Sequence, residues 1–229
     1  MKETFVDVGI LILEPVTAVT DLLLGLFCIW FYRRLALPVK SHPLLRFWRL
    51  FFLCIGISTL LGTVAHGLRF YMNEPTFKAV WMMMNLTSIV SSYFLLLATI
   101  EIQYDSPRTI QRLQQISLLI TLMLVSATVY FNDFNLIKIY AGFIIFIALI
   151  THFNTYKKGL KGSGYITFGF AFSLTSIWVH TMKLSIDDYF NFKDISHVIM
   201  LISLYFIFLG AMLKTRLDDE TLGLGADTQ

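Results

Sequence analysis

Residues 8–32 read VGILILEPVTAVTDLLLGLFCIWFY, an apolar run interrupted by only two charged side chains, Glu14 and Asp21. A helix that crosses a bilayer needs about 20 mostly apolar residues. In lipid every backbone polar group must be paired within its own segment, so a run of this kind forms a helix rather than a strand. The pattern returns at 47–71, 78–102, 113–131, 136–156, 163–183 and 194–214, with short polar clusters between. The expected fold is therefore all-α, an integral membrane bundle of seven transmembrane helices forming one domain over residues 1–217. The acidic, glycine-containing tail at 218–229 reads as disordered.

Composition agrees. The chain of 229 residues is 56% hydrophobic and 14% charged, against about 45–50% and about 25% in an ordinary soluble domain. Seven spans take roughly 140 residues and leave no room for a separate soluble domain. The net charge of +3 comes from basic loops, which argues about orientation and gives no support for nucleic-acid binding. Cys28 and Cys54 both fall inside expected spans, where they pack as small apolar residues rather than build a disulfide framework. The start, Met1-Lys2-Glu3 with Asp7 close behind, has no small-residue cleavage site before Arg33, so the first apolar run is expected to stay as a helix.

Lysine and arginine alternate between loops. Arg33, Arg34, Lys40 and Arg46 fill the first, Arg108 and Arg112 the third, and Lys157, Lys158 and Lys161 the fifth; Lys214 and Arg216 begin the tail. The even loops are poorer: Arg69 and Lys78 flank the second, Lys138 follows the fourth, and Lys183 and Lys193 flank the sixth, offset by Asp187 and Asp188. The positive-inside rule then puts the odd loops and the C-terminus in the cytoplasm and the N-terminus outside. Trp30 and Trp48 fall near the inner interface and Trp81 and Trp178 near the outer one, as an aromatic belt would place them.

Ionisable side chains inside spans are expensive and usually face the bundle interior. At about 1.5 Å per residue, Glu14, His66 and Asn85 lie roughly 8–10 Å in from the outer ends of helices 1, 2 and 3. His180 and His197 lie within about 5 Å of the outer ends of helices 6 and 7. Glu14, Thr17 and Asp21 share a stripe of helix 1, and Ser58, Gly62 and His66 share one of helix 2. Asp194 precedes His197 by three residues, close enough to orient its imidazole. Gly159, Gly162 and Gly164 interrupt the fifth loop and read as a turn rather than a phosphate cradle. His42 lies in the basic first loop and His152 near the inner end of helix 5, both away from this layer.

Seven spans with an acid in helix 1 (Glu14), a histidine in helix 2 (His66) and a histidine near the start of helix 7 (His197) resemble the membrane hydrolase superfamily of alkaline ceramidases and adiponectin/progestin-type receptors. The resemblance implies a zinc site that hydrolyses a lipid amide. The sequence departs from that pattern at three places: Gly62 stands where the family has serine, Asn85 where it has aspartate, and Leu201 where it has a second helix 7 histidine. A third metal ligand would have to be His180.

These residues leave more than one function open. In a zinc-dependent hydrolase acting on a lipid amide or ester, His66, His180 and His197 would hold the metal. Glu14 or Asp194 would act as general base or fourth ligand, and Asn85 or Ser58 would polarise the carbonyl. In a receptor or transporter the same layer would bind a ligand or relay protons without metal, with Asp21 as the buried acid. Haem ligation by a histidine pair is a third reading. The expected partners are membrane lipids, one of them a possible substrate.

Overall fold

The computed structural model describes residues 5–7, 9, 11–35 and 43–221. Among them are seven α-helices: α1 (Pro15–Arg34), α2 (Pro43–Gly67), α3 (Glu74–Gln103), α4 (Pro107–Phe131), α5 (Phe134–Lys157), α6 (Ser163–Met182) and α7 (Phe192–Thr221). All except α6 contain a stretch long and apolar enough to cross a membrane. α6 has 20 residues, enough for about 30 Å of helix, but Gly164, Thr167, Gly169, Ser173, Thr175 and Ser176 make it less apolar.

Helix starts follow proline. Pro15, Pro43, Pro75 and Pro107 lie in the first turns of α1 to α4, where the missing N–H would have had no partner in any case. This explains the main departure from the expected boundaries. The first helix begins at Pro15 rather than residue 8, because Phe5–Asp7 (β1) and Leu11–Leu13 (β2) pair as an antiparallel hairpin in the register Phe5↔Leu13, Val6↔Ile12, Asp7↔Leu11. The fold is thus helical with one small two-stranded element. Gly9 turns the hairpin with φ +85°, and its N–H donates to Asp7 Oδ1 at 3.0 Å. Tyr71, in a 3-10 turn after α2, ties the hairpin down by accepting from Leu11 N at 2.9 Å.

At the other end of the chain α7 runs to Thr221, past the boundary expected near 214. His42 and residues 222–229 lie outside the described residues.

The packing has a simple plan. α1 packs on α2 and α7, α2 on α3, α3 on α5, α5 on α6 and α6 on α7, which closes a ring of six helices. α4 lies outside it, packed mainly on α3. α6 and α7 meet along a close seam. A side chain at Gly169 would put its Cβ 2.6 Å from Ile207 Cγ1 and 2.7 Å from the Ser203 carbonyl oxygen. Small residues at such a seam let two backbones approach. Gly162, with φ +82°, forms the turn into α6 and also abuts the backbone of Gly210.

The end of the ring that carries the basic loops is filled by aromatic rings. Phe31 stacks on Phe208 at 4.5 Å and meets Phe52 edge-on at 5.3 Å, and Trp48 stacks on Phe170 at 6.4 Å. Trp48 therefore departs from its expected interfacial role: it is 1% exposed and packs against Phe170 and His152. Trp30 and Trp178 are exposed.

Candidate functional site

The opposite end of the ring holds a cavity of about 420 Å³. All six ring helices contribute lining side chains and α4 contributes none. Phe51, Phe170 and Ile207 belong to its apolar wall, and His66, Asn85, His180, Lys193 and His197 line it with polar groups. Such a cavity lies within the roughly 300–1,000 Å³ range of small-molecule sites, which typically combine apolar walls with a few placed polar groups.

α1 enters this end through Glu14, whose φ of 45° lies in the left-handed region that non-glycine residues seldom adopt. Two partners on other helices hold it there. His66 Nδ1 lies 2.5 Å from Glu14 Oε2, and Lys193 Nζ donates to both carboxylate oxygens at 2.7 and 2.9 Å. Glu14 thus joins the end of α2 to the start of α7. It is not among the cavity-lining residues, and both its oxygens are engaged, so it is placed as an ion-pair clasp rather than as a free base.

Asp194 has a comparable role at the start of α7. It is fully buried, accepting from Thr17 Oγ1 at 2.7 Å and from Asn191 N at 2.8 Å. The second bond satisfies an N–H at the helix start, as in a capping box, and the first fixes α7 to α1. The expected pairing of Asp194 with His197 is replaced by this arrangement. His197 instead places Nδ1 3.0 Å from Thr20 Oγ1 and Nε2 3.4 Å from Asp21 Oδ1. The other Asp21 oxygen fills the space left by Gly62, where a Cβ would come within 2.6 Å of it. The glycine that departs from the hydrolase pattern is the residue that admits Asp21 between α1 and α2.

Ser58 lines the cavity, but its hydroxyl donates to the Met84 carbonyl at 2.9 Å, linking α2 to α3. Its proton is unavailable to a substrate carbonyl while that bond holds. Asn85 differs. It is 1% exposed and lines the cavity, and neither its Oδ1 nor its Nδ2 has a hydrogen-bond partner among the described residues. His180 Nδ1 also lacks one. Native proteins rarely leave both halves of a buried amide unpaired, so such a group calls for an explanation.

Seen together, the structure brings His66, His180, His197 and Asn85 to one cavity and places Glu14 and Asp194 in its frame. Among the described residues no three His, Cys, Asp or Glu side chains are grouped to hold a metal ion. His66 and His197 each direct a ring nitrogen at a side chain of α1. His66 does so through Nδ1 alone, whereas His197 has Nδ1 beside Thr20 and Nε2 beside Asp21.

Sequence reasoning does not select Lys193 or Thr20 as site residues; it counts Lys193 only as loop charge. Its signal is the spacing to His197, four residues on and so on the same face of α7.

No curated protein and no solved structure matches the chain. A family does: residues 16–216, from α1 into the last turns of α7, match a family of unknown function, DUF6962, and the chain belongs to that family.

Proposed function

We propose that this is a seven-span membrane protein of receptor or transporter type that binds a small ligand, without metal, in the cavity enclosed by its six-helix ring. In this reading α6 is the seventh span. The N-terminus lies outside, the basic loops face the cytoplasm, and the cavity occupies the exoplasmic half, as the distribution of lysine and arginine favours. The observation that carries the reading is the cavity's construction. Every ring helix supplies part of its wall, and its buried polar groups are divided between those committed to the frame and those left open toward the interior. Beneath it the aromatic cluster of Phe31, Phe52 and Phe208 closes the ring, so a ligand entering from the outer end stops at a floor.

The zinc-dependent hydrolase is the second reading, favoured by one observation: His66, His180 and His197 all line the same cavity. His66 can keep Glu14 on Nδ1 and ligate through Nε2, as metal-bound histidines do, but His197 would have to turn Nε2 from Asp21 or Nδ1 from Thr20 before the three could share an ion.

Metal quantification on the full chain, purified without chelator, separates the two. Substoichiometric zinc, unchanged by His66→Ala, is the expected result. One zinc per chain, lost in His66→Ala and in His197→Ala but kept in His152→Ala, would overturn the metal-free reading and put the hydrolase ahead.

Orientation has its own test. A cysteine introduced in the Lys157–Lys161 loop should be protected from an impermeant thiol reagent in intact cells, and one near Asp187 should be labelled. The reverse pattern would place the cavity on the cytoplasmic side.

A further inference from the structure

The outer part of the cavity carries an arc of rings. His66 meets Trp81 edge-on at 5.9 Å, Trp81 lies 6.4 Å from Phe134, Phe134 lies 6.2 Å from His180, and His180 meets Phe192 edge-on at 5.0 Å. Five helices each give one member of this arc, and all five rings line the cavity. Asn85 stands one helical turn from Trp81 on α3, so the two share a face.

We infer that this arc and Asn85 together form a binding site for a small, planar, uncharged heteroaromatic ligand whose edge carries a hydrogen-bond donor beside an acceptor, as a lactam does. The inference rests on the ligand-cavity reading above and names the ligand's chemistry.

Three features select it. Asn85 offers a donor and an acceptor side by side, both without partners among the described residues, so a ligand with only one kind of group would leave the other amide atom buried and unpaired. A planar edge presenting N–H next to C=O satisfies both at once. Aromatic rings prefer offset or edge-on contact with other rings, and an arc of five offers such contacts to a flat ligand. Charge argues against the usual guest of an aromatic cage, a cation. Lys138 lines the same cavity with its Nζ 5.7 Å from the Phe134 ring centroid, where a cationic guest would sit, while Lys193 is paired with Glu14 and Asp21 is turned to His197 and Gly62. A pure carboxylate would suit Lys138 but would face Asn85 Oδ1 with acceptors only.

The test uses 2-quinolone, a fused ring with a lactam edge, and N-methyl-2-quinolone, which keeps the ring and loses the donor. The full chain is held in detergent micelles and binding is read as saturable quenching of tryptophan emission. The expected result is that 2-quinolone quenches saturably and Trp81→Phe removes most of the change. N-methylation should weaken binding about tenfold or more, and Asn85→Leu should weaken it similarly while leaving the melting temperature of the ligand-free protein undiminished. The N-methyl comparison is made on the wild-type chain, so it stands even where a variant fails to fold.

No saturable quenching by 2-quinolone, or equal binding of the N-methyl compound, overturns the proposal. If lauric acid binds in an Asn85-dependent way and 2-quinolone does not, the ligand class is wrong while the cavity reading survives. Zinc content, measured separately, decides the cavity reading itself.

Discussion

α4 and α6 are the two most different helices in the bundle, and each reverses what its composition alone would suggest. α4 is apolar enough to span a membrane, yet it stands outside the ring and contributes nothing to the cavity wall. Its buried residues are Ser117, Thr121 and Thr128, while Leu119, Met123 and Tyr130 are 62, 74 and 82% exposed. That inside-out pattern suits a helix whose outer face meets lipid tails. Some of its polar residues turn inward, as Thr121 does toward Tyr140 at 2.8 Å and Gln114 toward Glu101 at 2.8 Å.

α6 is less apolar but occupies a place in the ring between α5 and α7. Its glycines and serines are what allow that placement. Gly169 lets α7 approach, and Ser176 and Ser196 exchange hydrogen bonds with each other's carbonyls at 3.1 and 3.2 Å. The buried polar residues, Ser117, Thr121 and Thr128 on α4 and Ser163, Ser173 and Ser176 on α6, mark the inward face in both cases.

The contrast breaks most sharply at Gly169. Gly169→Leu drives a side chain into the α7 backbone, which cannot move aside as a flexible side chain would. We expect a loss of about 3 kcal/mol or more, or no folded protein, judged by thermal unfolding in micelles and size-exclusion profile. Leu119→Gly on α4 would then cost only the helix propensity difference of roughly 1 kcal/mol. Similar losses in the two variants would show that α4 is as embedded as α6.

Asp194→Ala comes next. It leaves Thr17 Oγ1 and the Asn191 N–H without their acceptor and unties α1 from α7, with an expected cost of about 1–3 kcal/mol. Asp194→Asn keeps an acceptor and should lose less. Equal loss in both would remove the capping and strapping role assigned to this carboxylate.

Asp21 tests the inner face of the ring at the point where α1, α2 and α7 meet. Asp21→Asn retains a polar partner for His197 and fits against Gly62, so it should be better tolerated than Asp21→Leu, by on the order of 1 kcal/mol in thermal stability. Indistinguishable variants would mean that the polarity of Asp21 does not serve the α1–α7 contact.

The smallest effect belongs to Ser176→Ala, which removes one side of the α6–α7 hydroxyl pair. Interhelical hydrogen bonds in membranes average about 0.6 kcal/mol, so a shift near that size is expected. On α4, Ser126→Ala should give none, because Ser126 bonds only to Leu122 O within its own helix.

Sequence alone determined the number and approximate positions of the helices, because lipid leaves a spanning backbone no alternative to internal hydrogen bonding. It also pointed to one end of the bundle for the polar residues, through rise per residue, although α1 starts at Pro15 and α2 ends at Gly67, so Glu14 and His66 stand at helix ends rather than 8–10 Å inside their helices. Glu14, His66, Asn85, His180 and His197 were selected on that basis, and they stand at one end of the bundle. Tertiary structure alone decided which of them face one another. Depth says nothing about azimuth around a ring, so only packing could show that His66 turns to Glu14, that Asp194 caps its own helix, and that Lys193 reaches across to α1. The same holds for the hairpin at 5–13, where Pro15 delays the helix and a strand pairing satisfies the preceding backbone. The ring itself, with α4 left outside, depends on contacts between residues far apart in the chain, where a glycine such as Gly62 or Gly169 has meaning only through the atoms that fill the space beside it.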